Sequence, residues 1–207
     1  MLLLSKGKWE DDNLRYKFTD AEIKKIQDNL TVIVDSREQR NEHILSYFNR
    51  MKIPYRVMKN DFGDYSCYIP ARTIDRFTSD IYFDREIAIE RKASIDEIAG
   101  NLKADAARLT KELAHMNKYS IKYFVFLEDA NYYENLIEGN YASQYDPKTL
   151  DQRIEKGILA RYDTILVPID KKYIGRKIIN VLRSYVYELF KNKGFILEES
   201  ESELNEN

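Results

Sequence analysis

Three short strings hold most of the residues able to do chemistry: Asp35-Ser36-Arg37-Glu38, Gly63-Asp64-Tyr65, and Glu90-Arg91-Lys92 followed by Asp96. Four acids and a lysine at the ends of apolar runs suit a divalent-cation site that cuts phosphodiesters. Successive side chains of a strand alternate between faces, so Glu90 and Lys92 share one face while Arg91 points the other way. If the strand opened by Asp64 pairs with the run Ile81 to Arg91 as a hairpin, the Asp64 carboxylate comes beside Glu90. Carboxylate oxygens hold a hard cation and leave positions for water and a phosphate oxygen. Without a cation the clustered acids repel one another and the phosphate, so the arrangement makes electrostatic sense mainly with metal bound.

Charged residues make up 33% of the chain, so a Glu-x-Lys pair alone is commonly just a solvated strand edge. The order of all three strings is more specific. Gly-Asp, a gap, then Glu-Arg-Lys and an acid four residues after the lysine resembles the signature of the XPF/Hef/Mus family of structure-specific nucleases. The resemblance runs from about Leu30 to about Lys193, with 25 residues between Asp64 and Glu90, a long gap in which Ala71 to Asp80 reads as an inserted loop. It implies an α/β, restriction-endonuclease-like fold, with a mixed central sheet flanked by helices. It also implies a Mg²⁺- or Mn²⁺-dependent endonuclease acting on DNA near a branch, flap or fork, and a homodimer formed through this domain. An inert DNA-binding or dimerisation subunit of the same fold is the alternative, and RNA or ordinary duplex DNA are other possible substrates. Neither a helix-hairpin-helix module nor a helicase phosphate loop is present, and the compact build resembles stand-alone members carried by phages and mobile elements.

On this reading Asp64 and Glu90 ligate metal directly, and Asp35 and Glu38 complete a second position, with Asp35 as turn-maker the rival role. Lys92 positions water and stabilises transition-state charge. Arg37 and Arg91 either clamp the phosphate through their guanidinium forks or brace the acids. Lys103, Arg108 and Lys111 are further candidate DNA contacts, with a solvated helix face as the default. Asp96 falls in a helix's first turn, where capping competes with ligation. His43 and His115 read as helix-surface residues without a catalytic role, and Tyr65 as a packing residue.

At 207 residues the chain fits one domain with a real core. A single cysteine excludes an internal disulfide, and two histidines exclude a Cys/His zinc cluster, which points to a reducing, cytoplasmic setting and oxygen ligands. Met1-Leu2-Leu3-Leu4 is too short for a leader or a membrane span. The net charge of −2 argues against indiscriminate nucleic-acid binding, although five glutamates after residue 193 account for it, and Lys171 to Lys193 carries seven basic residues against one acid.

The elements that must position these residues alternate between strand and helix. Residues 1–18 read as a flexible arm, 19–193 as the nuclease domain, and 194–207 as an acidic disordered tail. Thr19-Asp20-Ala21-Glu22 is a capping box opening a helix, and Thr31 to Asp35 is a β-branched strand. Helix 41–51, strand 54–58, strand 64–69 and strand 81–91 follow. Ser94-Ile95-Asp96-Glu97 is a second capping box, so a helix starts just beyond the Glu90/Lys92 pair and aims its positive end near it. Helix 104–116, strand 121–127, a helix from Asp146 to about Arg161, strand 164–169 and helix 173–191 complete an α/β layer arrangement.

Overall fold

The computed structural model describes residues 17–193, so the proposed arm up to residue 16 and the proposed acidic tail lie outside the described residues. Helix α1 (Asp20–Asn29) opens on the expected capping box, with the Glu22 amide donating to Thr19 Oγ1 and the Thr19 amide to Glu22. Strand β1 (Thr31–Asp35) is buried along its whole length, and α2 (Glu42–Arg50) returns to the edge strand β2 (Tyr55–Met58). Strand β3 (Tyr65–Ile69) runs back down the sheet.

The apolar run expected as one strand is broken in two. It forms β4 (Ile81–Tyr82) and β5 (Ile87–Lys92), with a turn over 83–86 between them. Both pieces pair with β3, so the hairpin itself is present. At the break the Phe83 amide still donates to Cys67 O, and Ser66 Oγ donates to Ile87 O, so these backbone groups stay satisfied while the strand bends.

Helices α3 (Ile95–Lys103) and α4 (Ala106–Lys118) lead to β6 (Lys122–Leu127). The short α5 (Tyr132–Glu138) was not anticipated from the sequence. One nearly continuous helix then comprises α6 (Pro147–Ile154), a π turn (Glu155–Leu159) and α7 (Ala160–Tyr162). It precedes strand β7 (Ile165–Pro168) and the long α8 (Ile174–Glu188).

The sheet order is β2-β1-β3-β5-β6-β7, with β4 added to β3. Neighbours β1/β2, β5/β6 and β6/β7 are parallel, and β3 is antiparallel to both β1 and β5. The C-terminal ends of β1, β5 and β6 therefore lie at the same edge as the N-terminal end of β3. Alternation sends Val32, Ile87, Ile89 and Phe126 into one core with α1, α2 and α8, and Ala88, Tyr123, Val125 and Leu127 into a second core with α3, α4 and α6. Helices thus cover both faces, as the strand and helix alternation implied. Among the described residues no helix is long and apolar enough to cross a membrane.

Candidate active site

The sheet edge defined by these strand ends carries the predicted acids. Asp35 closes β1, Asp64 precedes β3 and Glu90 lies near the end of β5, and the register sets them side by side on three adjacent strands. Asp64 is clamped between its neighbours: its amide donates to Ile89 O (2.9 Å), and its carbonyl accepts from the Asp35 amide (2.8 Å). Gly63 permits this approach, because its φ is +62° and a Cβ there would stand 2.9 Å from Ile89 O. With Tyr65 paired to Ile89, Asp64 opposes Glu90 and the two carboxylates share a face.

Lys92 lies on that same face. Its Nζ donates to Glu90 Oε1 at 2.7 Å and to Glu97 at 3.3 Å, with only 13% of the side chain exposed. Burial works to lower its pKa, but the charge and hydrogen bond of Glu90, followed by Glu97 and Asp64, hold it above the ordinary lysine value. Lys92 is therefore a fixed ammonium. Burial, then the Glu90 charge, push the Asp64 carboxyl well above the usual carboxylate range, although the Arg91 amide donating to Asp64 Oδ2 (2.7 Å) opposes them. Burial, then the Glu90 charge, push the Tyr123 pKa well above the ordinary value, so it is held as a neutral phenol.

Asp35 shares the row but is fully engaged. Oδ1 accepts from the Arg37 amide and Nε, and Oδ2 from Arg37 Nη2 and the Asn60 amide, all within 2.9 Å. Burial alone would raise its pKa, but the bonds from Arg37 and Asn60 bring it below the ordinary value. Here Asp35 makes the turn, and Arg37 braces it. Among the described residues no group of three or more His, Cys, Asp or Glu side chains is gathered closely enough to hold a metal ion. Asp64 and Glu90 are the pair brought together; Asp35 and Glu38 do not join them in one cluster.

Glu38 belongs to a second network on the opposite face, reached through Arg91. The Arg91 fork grips Glu128 with two 2.8 Å bonds, and Nη1 reaches Glu38 at 3.3 Å. His43 Nε2 meets the same Glu128 at 2.5 Å. Burial would raise the Glu128 pKa, but Arg91 and then His43 hold it below the carboxylate norm. Arg91 thus joins the two faces, its amide on Asp64 and its side chain on Glu128 and Glu38. Glu128 was missed by the sequence reading, an acid directly after the apolar run ending at Leu127 being the one local signal, and His43, read as a helix-surface residue, instead bonds Glu128.

Asp96 accepts the Ser143 amide at 2.6 Å and ties α3 to a distant loop rather than to the acid pair. Arg108 lines a cavity of about 70 Å³ that ends on Glu90 and Lys92, whereas Lys103 and Lys111 are exposed and line neither this cavity nor its neighbour.

A donor set of two adjacent carboxylates suits a hard divalent cation. Mg²⁺ is commonly bound through one or two carboxylates while keeping several waters. Asp64 Oδ1 accepts no hydrogen bond among the described residues, which leaves that oxygen open to a cation, and burial and then the Glu90 charge make the lone carboxylate costly there.

The family model for the ERCC4 domain matches residues 34–164, a span that contains all of these side chains. A comparison with curated proteins gave no match. Among solved structures, XPF from Aeropyrum pernix is similar at 18% identity and a TM-score of 0.52, over 75% of this chain and 64% of that one. XPF from Aeropyrum pernix in complex with DNA is similar at 17% identity and a TM-score of 0.52, over 78% of this chain and 68% of that one. At these identities the likeness is one of fold, and it supports the restriction-endonuclease-like architecture.

Proposed function

We propose, from the premise that the chain belongs to the ERCC4 domain family, that it is a divalent-metal-dependent DNA endonuclease acting near branched, flap or fork junctions. The observation that carries this reading is the opposition of Asp64 and Glu90 across β3 and β5, with the Lys92 ammonium on the same face. Mg²⁺ or Mn²⁺ held by these two acids would lower the pKa of a coordinated water and offset charge developing at phosphorus. Lys92 holds Glu90 in place and keeps a positive charge beside the acid pair, where the attacked phosphate gains negative charge. Arg91 fixes Asp64 through its amide, and Glu128 fixes Arg91. A second ion on Asp35 and Glu38 would have to displace Arg37 and Arg91 from them, so the proposal is a single ion on Asp64 and Glu90. Arg108 is placed to meet substrate backbone at the cavity mouth, and Arg37, though bound to Asp35, keeps an exposed side chain from which to do so. The reading also includes a homodimer and a cytoplasmic place of work alongside DNA.

The test is cleavage of fluorescent flap, fork, duplex and single-stranded DNAs, and matching RNAs, with Mg²⁺, by wild type, Asp64→Asn, Glu90→Gln and Lys92→Ala. Wild type should cut junction DNA, the two acid variants should bind without cutting, and Lys92→Ala should lose about 10²–10³-fold in rate. If all four bind equally and none cuts, the chain is an inert DNA-binding subunit and the enzyme reading fails. Sedimentation of wild type checks the dimer.

A further inference from the structure

On the face that carries Asp64 and Glu90, α4 lies against the helix formed by α6, the π turn and α7, leaving an open groove of about 320 Å³ between them. Its floor is apolar, including Leu102, Leu109 and Leu113, and its rim carries Arg153, Lys156 and Arg161. No acid lines it. Among the described residues none of the three cations makes an ion pair. Arg153 bonds Tyr145 Oη (2.9 Å) and Leu102 O (3.3 Å), Arg161 lies over the Tyr162 ring, and the Lys156 side chain makes no hydrogen bond among the described residues.

The π turn produces this rim. Residues five apart on an α-helix point about 140° away from one another, given 3.6 residues per turn. Inside a π turn the hydrogen bonds run from i to i+5, and the extra residue lets positions five apart share a face. Lys156 and Arg161 are five apart across the segment Glu155–Leu159, and both face the groove. A Cβ on Gly157 would meet nothing within 4 Å, so the groove wall there is open backbone rather than packed side chain.

Leu109 and Leu113 are a shared wall. One side lines the groove and the other lines the small cavity that ends on Glu90 and Lys92. The groove and the cavity thus both lie between α4 and the α6/π-turn helix, divided by these leucine side chains.

We propose that this groove holds a single-stranded DNA segment running from the acid pair, with phosphates on Arg153, Lys156 and Arg161 and sugar and base faces on the leucine floor. The assignment rests on the nuclease reading for its occupant, and on uncompensated charge above an apolar recess for its chemistry. A flexible strand can enter such a recess and combine backbone electrostatics with contacts to its base faces. A duplex keeps its bases stacked inside.

The test is anisotropy of a labelled single strand of about 20 nucleotides, enough to cover one or two such sites. It is titrated in EDTA across a range of salt with wild type, Lys156→Glu/Arg161→Glu and the control Lys148→Glu. Lys148 is exposed on α6 outside the groove, so the control changes charge on the same helix. Each lost phosphate contact lowers the salt slope by about 0.7 for a single strand, so the double variant should lose about 1.4 and bind at least about tenfold more weakly. The control should keep the wild-type slope. An unchanged slope in the double variant, an equal drop in the control, or no binding by wild type overturns the proposal. So does sedimentation showing that the double variant dissociates a dimer without changing the slope, since a second copy would then fill the groove. Junction cleavage by the same proteins separates the two readings. Cutting with a groove-independent slope sinks only the groove, and a groove-dependent slope without cutting sinks only the nuclease.

Discussion

Replacing Asp64 with Asn removes one of two carboxylates that face each other across β3 and β5, while leaving an oxygen to accept the Arg91 amide. Directly opposed residues have Cβ atoms about 5 Å apart. Two unit charges at about that distance repel by about 3 kcal/mol at an effective dielectric near 20. Lys92 offsets part of this, leaving a net cost of about 1–2 kcal/mol at neutral pH. Burial of the carboxylate acts in the same direction, and the sign follows from the Asp64 pKa, raised first by burial and then by the Glu90 charge. A carboxyl whose folded pKa lies above its unfolded value of about 3.9 imposes no penalty below that value, and the full penalty once pH exceeds the folded pKa. In EDTA at pH 7.5, Asp64→Asn should therefore be more stable than wild type, by about 2–8 °C in Tm for a chain of this size. The gap should close as pH falls toward 4. Added Mg²⁺ should raise the wild-type Tm by mass action and leave the variant unmoved. Scanning calorimetry of both proteins at three pH values, with and without Mg²⁺, reads all of this. A variant less stable than wild type in EDTA at pH 7.5, or a gap independent of pH, would refute the like-charge account.

Glu128→Ala should cost about 3–5 kcal/mol in urea unfolding, because it leaves the Arg91 guanidinium buried without its main partner. Glu128→Gln should recover part of that stability and of cleavage. Gly63→Ala should lose about 2 kcal/mol or more from its positive φ and its contact with Ile89 O, together with most cleavage activity, because it displaces Asp64. Lys92 has a raised pKa, so its stabilising charge is complete below the unfolded value of about 10.4 and is lost only above the folded one. Stability measured from pH 7 to 10 should therefore show no loss that Lys92→Ala removes.

The pleat made the central part of the site legible. Parity alone put Glu90 and Lys92 on one face with Arg91 behind them, and the apolar runs flanking the hairpin brought Asp64 opposite Glu90. The strand break over 83–86 was overlooked although three consecutive charges, Asp84-Arg85-Glu86, interrupt the alternation there; local bonds from the Glu86 and Ile87 amides to Phe83 O close the turn, and bonds to Cys67 and from Ser66 anchor its ends. Helix α5 hid because it has seven residues and buries only Tyr132 and Leu136. Asp35 and Arg37 are two residues apart, and whether that pair faces phosphate or closes on itself depends on the Asn60 amide 25 residues away. Glu128 meets Arg91 and His43 through contacts that span 37 and 85 residues. No local pattern encodes such a meeting.

The central claim, that Asp64 and Glu90 jointly bind one divalent cation, is tested most directly by locating Mn²⁺ from its anomalous scattering in crystals of wild type and of Glu90→Gln. The account predicts a single peak between the two carboxylates in wild type and none in the variant. A peak on Asp35 or Glu38 alone, or one that survives in Glu90→Gln, would contradict it.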